Sequence, residues 1–347
     1  MGQKYVWQKP DWPNFKWDSG QLAELLNQAR KLQSKVLGHA QFIGLEAQAN
    51  LLTEEAITTS AIEGEKLNQD SVRSSVARRL GLSTSGLPPQ ERHIDGLVEM
   101  LLNATQKYSE PLSAKRLFAW QAALFPTGYS GLHKIKVGAW RKKNEPMQVI
   151  SEKQGRLIVH FEAPPSNQVT EEMKAFLAWL NGPSKKLDGI IRAGIAHFWF
   201  VTIHPFEDGN GRIARAITDM ALAQDEQIGC RLYSLSTQIV AVREDYYDVL
   251  ESCQKKNSDL TEWLSWFLKM FCQAIERSNG VIAKALLIAR FWHKHSQSEL
   301  NSRQRKVINR LLEAEPEGVV GGMTNRKYVS IAKVSRETAK RALAELE

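Results

Sequence analysis

Cysteine is scarce. Cys230, Cys253 and Cys272 are the only three in 347 residues, and none has a partner at metal-ligand spacing. That argues against a disulfide-stapled scaffold or a thiolate metal site and leaves free thiols in a reducing cytoplasm as the expectation. Long apolar runs are missing too: none approaches the ~18–20 residues of a membrane span. Lys4, Lys9 and Lys16 stand among tryptophans and prolines, so the start lacks the apolar core of a signal peptide. There is no Gly-Lys-Ser/Thr, which excludes a P-loop. Acidic excess is absent as well. Formal net charge is +8, and residues 301–347 hold ten Lys/Arg against six Asp/Glu, so the basic bias is concentrated in the C-terminal tail. What remains, 43% hydrophobic and 24% charged residues, is the make-up of a soluble globular protein of two or three units.

One stretch concentrates the chemistry. Residues 203–215 read Ile-His-Pro-Phe-Glu-Asp-Gly-Asn-Gly-Arg-Ile-Ala-Arg. His204 can take a proton near neutral pH. Asp208 is a hard carboxylate of the kind Mg²⁺ prefers. Gly209, Asn210 and Gly211 can turn tightly and expose successive backbone N–H groups, which form a concave anion site. An apolar-periodic run follows at once, so this nest sits at a helix N-terminus, where the dipole adds to the attraction for phosphate. Arg212 and Arg215 are three apart and share a helix face. A plain capped helix with solvated arginines would explain any two of these features. All of them together read as a di- or triphosphate cradle with a base beside it.

The stretch resembles the Fic family motif, His-x-Phe-x-Asp/Glu-Gly-Asn-Gly-Arg-x-x-Arg, with no departure. The resemblance implies transfer of AMP from ATP to a Ser, Thr or Tyr hydroxyl of a target protein or of the chain itself. His204 would be the general base and Asp208 the holder of Mg²⁺. Gly209, Asn210 and Gly211 would form the anion hole, and Arg212 and Arg215 would grip the β- and γ-phosphates. Upstream, Thr59-Ser-Ala-Ile-Glu63-Gly64 fits Ser/Thr-x-x-x-Glu-Gly/Asn, which resembles the family's inhibitory helix motif. By that resemblance Glu63 would pair with Arg215 and displace the γ-phosphate. Removal of AMP, or transfer of another phosphoryl group, would use the same His204 and Asp208 and stays open. So does a DNA-binding regulator carrying the site as a sensor.

The remaining chain is mostly helical in pattern. Trp7, Trp12 and Trp17 recur among prolines as an extended arm packed on a helical body. Apolar periodicity predicts helices at 20–33, 41–62, 69–81, 91–108, 113–124, 169–181 and 187–201, then from Arg243, at 259–277 and at 279–296. His197, amid Ile195, Ala196, Phe198 and Trp199, reads as a core histidine. Only 147–161 has strand character: two β-rich runs around a turn with Gly155 predict a hairpin. It resembles the family's flap, whose edge can hold a target segment as an added strand. Val149 on that flap, with Tyr246, Tyr247 and Gln254 after the motif helix, would line the adenine pocket. Near Ser302 begins a C-terminal unit. Helices at Arg305–Leu312, Thr324–Ile331 and Ser335–Leu346 resemble a winged helix without its wing, with Arg336, Lys340 and Arg341 exposed for DNA.

The expectation is therefore a mainly α protein: a Fic-type helical bundle with one β-hairpin flap, plus a small C-terminal helix-turn-helix or winged-helix-like domain. Boundaries are expected at 1–108, 109–277 and 278–347. No membrane partner is expected, and a homodimer is left open.

Overall fold

The computed structural model describes residues 5–142, 145–153, 156–295, 297–313 and 322–346. The chain divides into two compact units, Met1–Leu37 with Gln48–Ser278, and Gly38–Ala47 with Asn279–Glu347. Five helices open it: α1 Ser19–Leu37, α2 Leu45–Ile62, α3 Gln69–Arg79, α4 Arg92–Gln106 and α5 Ala114–Leu124. Two hairpins follow, β1 Tyr129–Ser130 with β2 His133–Lys134, and β3 Gln148–Lys153 with β4 Arg156–Glu162. Then come α6 Val169–Asn181, α7 Gly189–Ile203, α8 Asn210–Glu226, α9 Leu235–Ala241, α10 Arg243–Gln254 and α11 Thr261–Lys294. The C-terminal helices are α12 Ser302–Glu313, α13 Asn325–Ala332 and α14 Arg336–Leu346.

The first unit is built round α7 and α8. Every residue of α7 is buried, and nearly every residue of α8. A helix apolar on all sides belongs in the middle of a bundle, since no face of it gains from water. Gly194 lets α11 approach α7: a Cβ there would lie 2.9 Å from Leu264 Cδ2, and Trp263 donates its indole N–H to the Gly194 carbonyl at 2.8 Å. The N-terminal arm packs as expected. Trp7 donates to the Glu162 carbonyl at 2.7 Å, Trp12 to Glu172 at 3.0 Å, and Phe15 stacks edge-on against Phe198 and Trp199. His197 is indeed a core residue, bonded to the Thr218 hydroxyl through Nδ1 and to the Tyr246 hydroxyl through Nε2, each at 2.9 Å. Burial, with Arg215 nearby, pushes its pKa down to about 3, so it stays neutral.

The expected flap is present as an antiparallel pair, Gln148 opposite Glu162 and Lys153 opposite Arg156, with a register shift between Val149 and Ile150. Its turn, including Gly155, lies outside the described residues. The β1–β2 hairpin, turned at Gly131 with φ +55°, was not expected, since two-residue strands carry no readable alternation. Two predicted helices, 259–277 and 279–296, are one helix, α11. The helix runs through Gly280, since a helical glycine costs only ~1 kcal/mol, which flanking apolar packing outweighs.

The second unit has a core of Val307, Tyr328, Ala332, Ala339 and Ala342. Thr324 caps α13 by accepting from Lys327 N–H at 3.3 Å, and Lys333 ends it in the left-handed region at φ +53°. The Ser335 hydroxyl accepts from Thr338 N–H at 3.2 Å and opens α14. No strand occurs among its described residues, so the described part is helical only.

Candidate functional site

The helix α7 runs straight into the motif. Its C-cap is His204, held in the left-handed region at φ 51°, ψ 57°. A non-glycine residue there is strained, and such strain concentrates at functional positions. The bend turns the imidazole back along the helix, where Nδ1 meets the Val201 carbonyl at 3.2 Å. A carbonyl can only accept, so Nδ1 carries the hydrogen and Nε2 keeps its lone pair. Burial lowers the pKa of His204 below its usual value, and Arg141 adds to this, against the opposing pull of the Val201 carbonyl, Glu63 and Asp208. The ring is thus neutral near pH 7, and Nε2 makes no hydrogen bond among the described residues.

The loop 205–209 is fixed by its own residues. Phe206 is fully buried against Trp140, at 5.0 Å between centroids, and Phe118. The Asn210 amide is spent on the Phe206 backbone, accepting from its N–H and donating to its carbonyl, both at 2.9 Å. Asn210 therefore shapes the loop from beneath with its side chain. Gly209 takes φ 87°, and a Cβ there would lie 3.0 Å from the Phe125 ring. Asp208 accepts from Gly209 N–H at 2.5 Å and from the Ser130 hydroxyl.

The helix α8 starts at Gly209 with no side-chain cap and no acidic residue in its first turn. Its free N–H groups and dipole end are thus left for something else. What approaches is Glu63. A Cβ on Gly211 would lie 2.1 Å from Glu63 Oε1, so only glycine leaves room for that carboxylate. The same oxygen accepts from Arg215 Nη2 at 2.7 Å. Thr59 holds the rest of the guanidinium, its hydroxyl accepting from Nε at 2.7 Å and its carbonyl from Nη2 at 2.8 Å. Arg212 donates to Glu65 at 3.0 Å and lies over the Phe125 ring. Nη1 of Arg215 and Nε of Arg212 are buried without a hydrogen-bond partner among the described residues. The turn at Gly64, φ +83°, thus puts acids on both motif arginines. Its end is tied down in turn: the Ile62 carbonyl accepts from Arg243 Nε at 2.5 Å and from the Tyr247 hydroxyl at 3.3 Å.

The structure brings His204, Asp208, Gly209, Asn210, Gly211, Arg212, Arg215 and Glu63 together. The four residues assigned to an adenine pocket fare differently. Tyr246 is 2% exposed with its hydroxyl on His197. Gln254 is buried and donates to the Thr202 hydroxyl at 3.2 Å. Both side chains bond to α7 in this structure, and Tyr246 also lies beside Arg215 of the cradle. Tyr247 lies at the Glu63–Arg215 edge, stacked on Arg243, and Val149 is half-buried on the flap. The sequence reading missed Glu65, Ser130 and Arg141. For Glu65, proximity to Glu63 was a usable signal; the other two act through contacts that no local pattern encodes. Among the described residues, no group of three or more His, Cys, Asp or Glu is placed to hold a metal by itself. No helix among them is long and apolar enough to cross a membrane.

Comparison with known proteins adds three findings. Residues 111–222 match the model of the Fic/DOC family, and residues 5–82 match one described as a domain of unknown function, DUF4172. The chain is similar to protein adenylyltransferase fic-1 of Caenorhabditis elegans, 46% identical over 55 residues, which is 16% of this chain and 11% of that protein. It is similar to protein adenylyltransferase Fic of Nematostella vectensis, 26% identical over 167 residues, 48% of this chain and 36% of that one. Those matches span well under two thirds of either relative. A crystal structure of a Fic family protein from Desulfovibrio desulfuricans G20 superposes with a TM-score of 0.57 at 19% identity, covering 92% of this chain and 86% of that one. A structure of Fic-1 (aa134–508) from C. elegans gives 0.54 at 21% identity, covering 77% and 74%. At these identities the likeness shows the fold: a mainly helical, Fic-like one.

Proposed function

We propose that this Fic/DOC domain protein is an autoinhibited protein adenylyltransferase that moves AMP from ATP to a protein hydroxyl. One observation carries the reading. A helix N-terminus without a cap, flanked by two buried guanidiniums that each keep a nitrogen unpartnered among the described residues, follows by a short loop from a neutral histidine whose Nε2 makes no hydrogen bond among those residues. That is a triphosphate cradle facing a base. The Glu63 carboxylate supports it from the other side, because it occupies the position an anion would take.

In this reading Nε2 of His204 accepts the proton of the target hydroxyl as its oxygen attacks the α-phosphorus. The bond to the bridging oxygen breaks, and pyrophosphate departs with the electron pair. Arg212 and Arg215 hold the leaving phosphates, and the N–H groups of Asn210 and Gly211 receive the equatorial charge. Such transfers depend on positioning and charge neutralisation more than on covalent help. Asp208 suits Mg²⁺, which is commonly held by one or two carboxylates together with phosphate oxygens and water, and bound there the ion would neutralise phosphate charge. The flap leaves Ile150, Leu157, Ile158 and Val159 exposed, 69% in the case of Leu157, which suits a target segment added as a strand.

Glu63 makes the resting enzyme slow, because it holds the guanidinium that the γ-phosphate needs. Glu65 does the same at Arg212, so the inhibitory turn is two-pronged. The C-terminal unit is a separate matter: Arg336, Lys340 and Arg341 are exposed along the first half of α14, which suits a nucleic-acid contact.

The test is incubation of the purified chain, parent and Glu63→Gly, with α-phosphate-labelled ATP, with and without cell extract, followed by mass spectrometry. An added AMP on Ser, Thr or Tyr supports the reading. A pre-modified protein that loses AMP instead would favour the reverse reaction.

A further inference from the structure

One buried cation stands apart from the phosphate cradle. Arg141 is 3% exposed, and its partners among the described residues are backbone carbonyls. Nε donates to the His204 carbonyl at 2.8 Å, and Nη2 donates to the Pro164 carbonyl and, at 3.4 Å, to that of Ile203. The Arg141 backbone N–H donates to the Pro205 carbonyl at 2.9 Å. Burial without a carboxylate alongside lowers its pKa to about 10, which still leaves it charged at pH 7. A guanidinium taken out of water at such cost needs compensation, and here it comes from the orphan carbonyls and the negative dipole end of α7.

We propose that Arg141 is the positioning residue for His204, resting on the reading of His204 as the base. Three successive carbonyls, those of Ile203, His204 and Pro205, converge on it. They belong to the peptide units on either side of the left-handed φ that aims the imidazole. That backbone is strained for a histidine and persists only if surrounding contacts over-determine it. Arg141 supplies them through its fork and its own N–H. It also ties the base to the flap. Pro164 lies just after the flap's second strand, Glu162 being its last residue, so the exit of the flap is bonded to this guanidinium. A target strand seated on the flap would thereby be held in register with Nε2. Lysine cannot substitute, since one ammonium cannot donate along the fixed directions of the fork.

The test uses the full chain in the Glu63→Gly background. Arg141→Gln and Arg141→Lys should each lower kcat by roughly 100-fold, as small misplacements of a catalytic group do, with ATP affinity within twofold. A general loss of folding would move both quantities. Independently of turnover, the His204 ring should be followed by ¹⁵N NMR. The charges facing it are Arg141, Glu63 and Asp208. Removing the cation in Arg141→Gln should move its titration upward, and the Nδ1–H signal should lose protection. In the unaltered protein, the Arg141 Nε–H should resist solvent exchange. Equal kcat in parent and variants, an unmoved His204 titration, or a fast-exchanging Arg141 Nε–H would each overturn the proposal. A parent without transfer, but with Arg141-dependent His204 titration, would sink the adenylyltransferase reading and leave the positioning role standing.

Discussion

Two helices meet in the middle of this protein, and their N-termini are made in opposite ways. The start of α7 is closed by its own residue: Asp188 accepts from Ile190 N–H at 2.9 Å and from Ile191 N–H at 3.3 Å. The start of α8 is left open by Gly209 and is met by a carboxylate from Glu63, 152 positions before its partner Arg215. The first arrangement is complete locally and serves the fold. The second is completed from a distance by a group that a ligand could displace. A helix end that the sequence could easily have capped, but did not, is where the proposed function places its phosphates.

The sharpest way to separate the two ends is to remove the base beside the open one. His204→Ala should cut AMP transfer by ~10²–10⁴-fold, the range of a general base, while labelled ATP binds with nearly unchanged affinity. A parallel loss of ATP binding would mean that the histidine serves the cradle instead. The base works when neutral, and burial holds its pKa below 6.5. Activity should therefore be flat near neutrality and fall with acid only beneath pH 6.5, as the ring protonates. A drop centred above pH 7 would contradict the assignment.

Next in size is the blocking carboxylate. The Arg215 side chain is 3% exposed and that of Glu63 32%, so their pair is little screened. If it is worth ~2–3 kcal/mol, as hydrogen bonds between charged groups often are, Glu63→Gly should raise transfer roughly 30- to 150-fold. Adding Arg215→Ala should remove most of that gain. An unchanged rate of self-modification in Glu63→Gly would reduce the open end to an ordinary one.

The second acid should matter less. Glu65 is 39% exposed at the side chain, and solvent screens it from Arg212. Such pairs are worth ~0.2–1 kcal/mol, so Glu65→Gln should raise transfer only about 1.4- to 5-fold. A gain equal to that of Glu63→Gly would mean that the turn releases as a unit.

How much of this was legible follows from distance along the chain. Residues 203–215 were readable because base, glycines and arginines are contiguous, and glycine and arginine mean nearly the same thing wherever they occur. The pairing of Glu63 with Arg215 was readable only by resemblance. Most helices were readable from apolar period; α6 matches 169–181 at both ends. Three things were not. The strap of β1–β2, which brings Ser130 to Asp208, is too short to have a period. Arg141 acts on carbonyls, which every residue carries, so no side-chain pattern announces it. The bonds of Tyr246 to His197 and of Gln254 to Thr202 were not readable either, because a polar tip on an inward helix face can serve a ligand or a neighbouring helix equally well.

The smallest expected effect on activity is the most direct check of the comparison, because it concerns the closed end. Asp188 does two jobs: it caps α7, and it receives Arg30 at 2.7 Å. Its side chain is 28% exposed and that of Arg30 34%, so the pair itself is partly screened. The cap is the larger share, because it satisfies two backbone donors at the start of a helix that is buried throughout. Asp188→Ala should therefore cost about 1–2 kcal/mol of stability, seen as a lower denaturant midpoint with an unchanged slope. The helix is pinned along its length by packing against α8 and α11, so its far end, where His204 sits, should not move. In the Glu63→Gly background, transfer per folded molecule and the acid limb of the pH profile should match the parent. Asp188→Asn, which keeps an accepting oxygen, should recover much of the stability and isolate the cap from the charge. If Asp188→Ala lowers kcat tenfold at a temperature where the protein stays folded, then α7 transmits its N-terminus to the base, and the two helix ends are not independent.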